Sequence, residues 1–200
     1  MFFRLQGDDG NIVDGFVHKS QANVGYQYIK KPGVPDYWGH KNTVETDQES
    51  SLVQAIHTYV RKTGDTAFLR EVIDGRRVLD RLESALDYLL RHRFDPAHGL
   101  LWGATTVDWG DVQPEHEWGV ELDANSHRAI DIYDNAMFRI ALADFQDLLG
   151  KDDARAQRWQ KVRDDIRRNV RQNLWDAQRQ KFIPHLYLEC FHQSCSVSGV

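Results

Sequence analysis

The sequence predicts an all-α fold, and three observations carry the prediction. Apolar residues recur at helical spacing in four separate stretches between Thr46 and Leu174, which is the signature of helices with one buried face. Between the second and third of these lies Trp102 to Trp118, WGATTVDWGDVQPEHEW, with neither helical nor strand periodicity. The resulting order is helix pair, long aromatic-acidic loop, helix pair. That is what about half of a toroid of paired helices would look like.

From Met1 to Asn42 the pattern is irregular, and glycines and prolines interrupt every candidate helix. Its rings, among them Phe2, Phe3, Phe16, Tyr26, Tyr28, Tyr37 and Trp38, suggest segments packed on a larger body. Thr46 followed by Glu49 fits a capping box, and Leu52, Val53, Ile56, Tyr59 and Val60 then mark a helix over about 47–62. Asp47 falls in its first turn, where the helix dipole favours a carboxylate. If that end faces a cleft, Asp47 and Glu45 would point at a bound ligand.

Asp65 is read as the cap of a short helix through Ile73, and Gly75 as a bend. Val78, Leu79, Leu82, Leu86, Leu89 and Leu90 form the stripe of the next helix, with Arg76, Arg77, Asp80, Arg81, Glu83 and Asp87 expected on its wet side. After the loop, Asp123, Asn125 and Ser126 are candidate N-caps for a broadly apolar helix from Ala129 to Leu149. Asp152 is expected to open a surface helix running to Leu174. Phe182 to Leu188 reads as a short extended segment, and 190–200 as an irregular tail.

Composition excludes several functions. The chain has 200 residues, 41% hydrophobic and 28% charged, with net charge −5, which suits a soluble globular domain and shows no basic footprint for nucleic acid. No apolar run approaches the ~20 residues needed to span a bilayer, and the start lacks a secretory pattern. A cytoplasmic location is expected. The histidines form no zinc-type pair, and neither a nucleophile elbow nor a phosphate-binding glycine loop occurs, so no metal or cofactor is expected. Cys190 and Cys195 imply no disulfide framework.

The loop carries the chemistry. Long connections without secondary structure are usually functional or disordered, and its three tryptophans argue against disorder. Flat apolar rings beside Asp108, Asp111, Glu115 and Glu117 are suited to cover the C–H faces of a sugar while carboxylates bond its hydroxyls and move protons. Glycoside cleavage commonly uses two acids, one with a pKa raised by an apolar setting. Asp111, two residues after Trp109, is the candidate general acid. The alternative reading is a turn around Gly110 capped by Asp108 and Asp111.

These residues resemble a known family. TVETDQESSLVQAIHTYVRKTGD, HGLLWGATTVDWGDVQ and AIDIYDNAMFRIAL are similar to the (α/α)6-barrel, six-hairpin glycosidases, a group that includes trehalases, amylo-α-1,6-glucosidases, processing glucosidases and cellobiose phosphorylases. The likeness covers roughly 40–150 and is closest at DWGD, which resembles Asp-Trp-Asn-Asp in the phosphorylases and Thr-Trp-Met-Asp in the debranching glucosidases. It implies that Asp111 is the acid, that Asp47 belongs to the sugar subsite, and that Tyr133 and Asn135 fall in the segment lining the barrel; Glu45 at the helix start and Trp102, Asp108 and Trp109 in the loop are candidate sugar contacts from the residues themselves.

It implies also that residues 1–189 form part of a toroid, because twelve helices do not fit this length, and that the base carboxylate lies in a region this sequence lacks. An inverting, glucosidase-like hydrolase of oligosaccharides is the first expectation. A phosphorylase on the same scaffold, or a non-catalytic carbohydrate-binding module, are the alternatives. A partner chain is expected wherever apolar helical surface, such as that of Ala129–Leu149, stays bare.

Overall fold

The computed structural model describes residues 1–24, 27–41, 43–104, 122, 126–150 and 153–188. These are mostly helical, as the sequence predicts. The chain opens with a single helical turn, α1 (Phe2–Leu5), and a two-stranded antiparallel ladder, β1 (Gly15–His18) with β2 (Tyr37–His40). This region is therefore more regular than its glycines suggest. Its rings stack edge to face, Phe2 on Phe16 at 5.4 Å and Phe16 on Tyr37 at 6.0 Å, while Phe3 enters the main core.

Next comes α2 (Gln48–Thr63), which ends at Gly64 in the left-handed conformation that a helix C-terminus favours. The expected short helix after Asp65 is instead one 3₁₀ turn, Phe68–Arg70, followed by a tight hairpin of β3 (Val72–Ile73) and β4 (Arg76–Arg77). Asp65 does cap that turn, accepting from the Phe68 N–H at 3.2 Å. α3 (Val78–His92) follows, then a second small hairpin, β5 (Phe94–Asp95) with β6 (Leu100–Leu101).

β7 (Gly103–Ala104) and β8 (Arg128–Asp131) pair antiparallel. β8 runs directly into α4 (Ile132–Leu149), and α5 (Ala156–Asn173) follows. Ala129 and Ile130, expected in the helix, are thus strand residues, and the N-cap is Asp131 rather than Asp123, Asn125 or Ser126. β9 (Trp175–Asp176) pairs with β10 (Lys181–Phe182), and β11 (His185–Tyr187) adds to the other edge of β8. Residues 190–200, the expected tail, lie outside the described residues.

The four long helices form two hairpins side by side. α2 packs on α4 and on its own partner α3, and α4 packs on α5. The two first helices are tied by Gln54 Nε2 donating to Met137 O at 3.2 Å and by His57, whose ring nitrogens meet Asp147 and Asp144 at 2.9 and 3.3 Å. The two second helices are tied by charge. Arg155 meets Asp80 and Glu83 at 3.2 and 2.8 Å, Arg158 pairs with Asp87, and the Trp159 indole N–H donates to Glu83 at 2.9 Å. The charged face of α3 therefore docks on α5 instead of facing only water. This arrangement, first helices together and second helices together, is what neighbouring hairpins of a toroid of helix pairs require.

The core lies between these layers and contains Val53, Leu82, Leu86, Leu89, Phe138, Leu142, Phe145, Trp159 and Ile166, all buried. Arg81, expected on the wet face of α3, is also buried. Its guanidinium is drawn inward by the carbonyl of Ile73, which accepts from Nε at 3.0 Å and from Nη2 at 2.6 Å. On α4 the apolar surface is mostly covered, although Ile140 and Tyr133 remain 45% exposed.

Candidate active site

The N-terminal ends of α2 and α4 lie together, and most of the described residues expected in the site sit there. The capping box at the start of α2 does not form. Thr46 donates its hydroxyl to Trp102 O at 3.0 Å, and Glu49 accepts from Ile12 N–H and Lys41 Nζ, both at 2.9 Å. Asp47 occupies the N-cap position but makes no side-chain cap bond. Its carboxylate accepts instead from the Tyr133 hydroxyl at 2.9 Å, across from the first turn of α4. Glu45, one turn away, accepts from Gln48 Nε2 at 2.6 Å.

α4 begins with two acids three residues apart. Asp131 caps the helix by accepting from Asp134 N–H at 2.6 Å. The Asp134 carboxyl is buried against Gly103, where an added Cβ would come within 2.8 Å of Asp134 Oδ2; only a glycine permits this approach. Burial raises the pKa of both carboxyls. Asp134 moves well above the ordinary range, because the charge of Asp131 and a hydrogen bond between the two side chains add to the desolvation. The pair holds a proton that an exposed aspartate would release. Tyr133 is pushed up to about 12 by burial and then by its bond to Asp47.

Trp102 closes the other side. Its carbonyl accepts from Thr46, and its ring carries the guanidinium of Arg93 at 4.9 Å and that of Arg128 at 5.1 Å. Arg93 is buried; Nη2 donates to Thr43 O at 2.5 Å, while Nη1 has no partner among the described residues. A groove of about 330 Å³ runs past Asp47 along Ser51, Leu52 and Ala55 of α2, with Phe2 and Ile12 as its far wall. It follows the face of α2 turned away from α4.

Of the candidate site residues, Glu45, Asp47, Trp102 and Tyr133 are brought to this end of the helix pair. Asn135 is placed differently. Its side chain is fully buried and binds backbone, accepting from Leu101 N–H and donating to Leu101 O, both at 2.9 Å, and to Asp131 O at 2.8 Å. It orients β6 and the start of α4 without reaching open space. Asp108, Trp109 and Asp111, like Glu115, Glu117 and Trp118, lie outside the described residues. The residues flanking them are anchored at this end: Ala104 N–H donates to Val44 O at 2.9 Å, and Leu122 N–H to Thr43 Oγ1 at 2.6 Å.

A family model, the catalytic domain of the glycosyl hydrolase 94 superfamily, matches residues 3–187. The chain belongs to this superfamily. The match spans the two helical hairpins and the N-terminal ladder together, so the irregular first forty residues are part of the glycosyl hydrolase 94 domain and not an appendage. Membership makes the chain part of a group of carbohydrate-active enzymes and agrees with the six-hairpin resemblance. No curated protein matches the chain. Among the described residues no group of three or more His, Cys, Asp or Glu side chains could hold a metal ion.

Sequence reading missed Asp131, Asp134, Arg93 and Arg128. A signal for the first two was present, since an Asp three residues before another Asp at the head of an apolar helix is a capping pattern. The arginines carry no such pattern, because their role depends on meeting Trp102 across the fold.

Proposed function

We propose that this chain carries the acid half of a glycosidic-bond-cleaving site for oligosaccharides, with Asp111 protonating the leaving oxygen. The observation that carries the reading is the bond between Tyr133 and Asp47, 2.9 Å, which joins the N-terminal ends of the two first helices beside Trp102. Carboxylates, a phenol and an indole edge converge there, the groups that hold sugar hydroxyls and cover a sugar ring. Ala104 and Leu122, which bracket the segment containing Asp111, are bonded to Val44 and Thr43, the two residues that precede Glu45.

In this reading Asp47 and Glu45 accept hydrogen bonds from sugar hydroxyls, and Trp102 with Asp108 and Trp109 lines the ring. Tyr133 sets the direction of Asp47. The attacking group enters from the face opposite Asp111, giving inversion at the anomeric carbon. Water as the attacking group makes the enzyme a hydrolase. A phosphorylase is the second reading, favoured by Arg93 and Arg128 beside Trp102, because two guanidinium groups would hold a phosphate in the attacking position.

The test is sugar release from a panel of oligosaccharides by an enzyme that carries this chain together with the opposing base carboxylate, with and without inorganic phosphate. Asp111→Asn is expected to lower turnover by about 10²- to 10⁴-fold, the usual worth of a general acid, while sugar binding persists. Near-normal turnover in that variant would remove Asp111 from the role. Release that requires phosphate selects phosphorolysis, and release without it selects hydrolysis.

A further inference from the structure

At the opposite end of α3 from Arg93 lies a cavity of about 340 Å³ lined by Arg4, Lys31, Arg76 and Arg81 together with Asp8 and Asp74. Four cations thus face two carboxylates. The separation from the Trp102 end is twelve residues of α3, roughly 18 Å by the rise of an α-helix.

Arg81 is the informative member. It is 6% exposed, and its guanidinium donates only to neutral acceptors: Ile73 O, Asp74 O and, at 3.3 Å, Gln6 Oε1. Among the described residues no carboxylate lies within ion-pair distance of Arg81, Arg4 or Arg76. Elsewhere on this surface the arginines are matched, as Arg77 is by Asp80 and Arg155 by Asp153, Asp80 and Glu83. Lys31 is only partly engaged, donating to Gln6 O at 2.5 Å and meeting the fully exposed Asp8 at 3.3 Å. A buried cation without an ion-pair partner is costly; Arg76 adds to that cost, and Asp74 and Asp8 offset part of it from beyond ion-pair distance. Burial, and then the Arg76 charge, lower the pKa of Arg81 further than Asp74 and Asp8 raise it. An anion in the adjoining space removes the imbalance.

We propose that this cavity is a binding site for a phosphate group, taken up as the free ion or as a small phosphomonoester. Arginine forks bond tetrahedral oxyanions through paired N–H groups, and the cavity volume holds a phosphate with a short substituent. The site is separate from the sugar-binding end and does not depend on the reaction carried out there.

The experiment is titration of the full chain with inorganic phosphate and, separately, methyl phosphate, followed by calorimetry and by phosphorus NMR. Arg4 and Asp74 are exposed and Arg76 is half-buried, so substitutions there leave the core intact. The double variant R4Q/R76Q is expected to weaken binding at least tenfold. Asp74→Asn, which removes a like charge at a turn position with φ of 47° that asparagine tolerates, is expected to tighten it about threefold. Saturation by inorganic phosphate alone identifies the free ion as the occupant, and saturation by methyl phosphate alone identifies an ester. A dissociation constant equal in wild type, R4Q/R76Q and D74N overturns the proposal, as does the absence of saturable binding of either probe. An Arg128→Gln control, which removes an exposed guanidinium beside Trp102, separates the two sites: unchanged binding in that variant places the phosphate here, and lost binding places it at the sugar-binding end and overturns the proposal.

Discussion

The two layers of helices treat their acids in opposite ways. Between the second helices, α3 and α5, each carboxylate meets a guanidinium: Asp80, Glu83 and Asp153 converge on Arg155, and Asp87 on Arg158. The pKa of Asp80 falls, first through its bond from Arg77 and then through Arg155, and that of Asp153 falls to about 2 through its bonds to Arg155. At the N-terminal ends of the first helices, α2 and α4, the acids meet each other. Asp131 and Asp134 are buried together, Asp47 is bonded by a phenol, and the pKa values of the buried pair rise. One layer uses acids to hold two hairpins together. The other accumulates them at the point where a sugar-cleaving site would need proton donors and acceptors.

Four substitutions break or sharpen this contrast. The largest effect is expected from Asn135→Ala. It strips three buried hydrogen bonds from Leu101 and Asp131, and should cost about 2–4 kcal/mol in urea unfolding. A loss below about 1 kcal/mol would mean that the acidic end does not depend on this anchor. Arg155→Met comes next. It leaves Asp80, Glu83 and Asp153 without their shared cation and should cost about 1–2 kcal/mol, less at high salt because the cluster is partly exposed. Insensitivity to salt would argue that the indole bond of Trp159 alone joins the layers.

Tyr133→Phe removes one bond to Asp47 and should cost about 1 kcal/mol. It should also lower sugar affinity, because Asp47 is no longer directed. Unchanged affinity by calorimetry would separate Asp47 from the site.

Asp134→Asn has the smallest effect on stability near pH 4, within about 0.5 kcal/mol, since the amide resembles the protonated acid. Its value lies in the pH profile. The folded-state pKa of Asp134 is raised, so its contribution is complete below the ordinary carboxylate range and is lost as pH rises through the raised value. The variant should shrink that decline to the part contributed by Asp131, whose pKa burial also raises. Asp153 has the opposite sign, with a contribution present above its unfolded pKa and lost as pH falls through about 2. Thermal unfolding followed from pH 2 to 8 in wild type and D134N reads both limbs. A wild-type curve without an upper decline would mean that the Asp131–Asp134 pair is not buried as described.

Much of the fold was legible. Leu82, Leu86 and Leu89 mark α3, and Val53 and Val60 mark α2, because a helix that buries one face must repeat apolar residues near every 3.6 positions. Asp47 and Glu45 could be singled out from the helix start and Trp102 from the tryptophan-rich loop, whereas Tyr133 was a candidate only through resemblance. What misled was local grammar. Thr46 and Glu49 form a perfectly spaced capping box, yet Trp102 O, Ile12 N–H and Lys41 compete for the same side chains and win. Ala129 and Ile130 continue a helical pattern, but β7 and β11 offer them partners on both sides, so they pair as strand. Asn135 is polar at the head of an apolar helix, which reads as a ligand contact. Its partners are backbone groups: the N–H and carbonyl of Leu101, thirty-four residues away, and the carbonyl of Asp131.

By itself the sequence determined that the chain is helical, where its long helices begin and end to within a few residues, and which side of each is apolar. These follow from short-range periodicity and from the hydrophobic effect acting on it. Only the tertiary structure decided which acids are neutralised by arginine and which are buried together. Electrostatic environment depends on groups brought near from distant parts of the chain, and aspartates identical in sequence acquire opposite pKa shifts according to what packs against them.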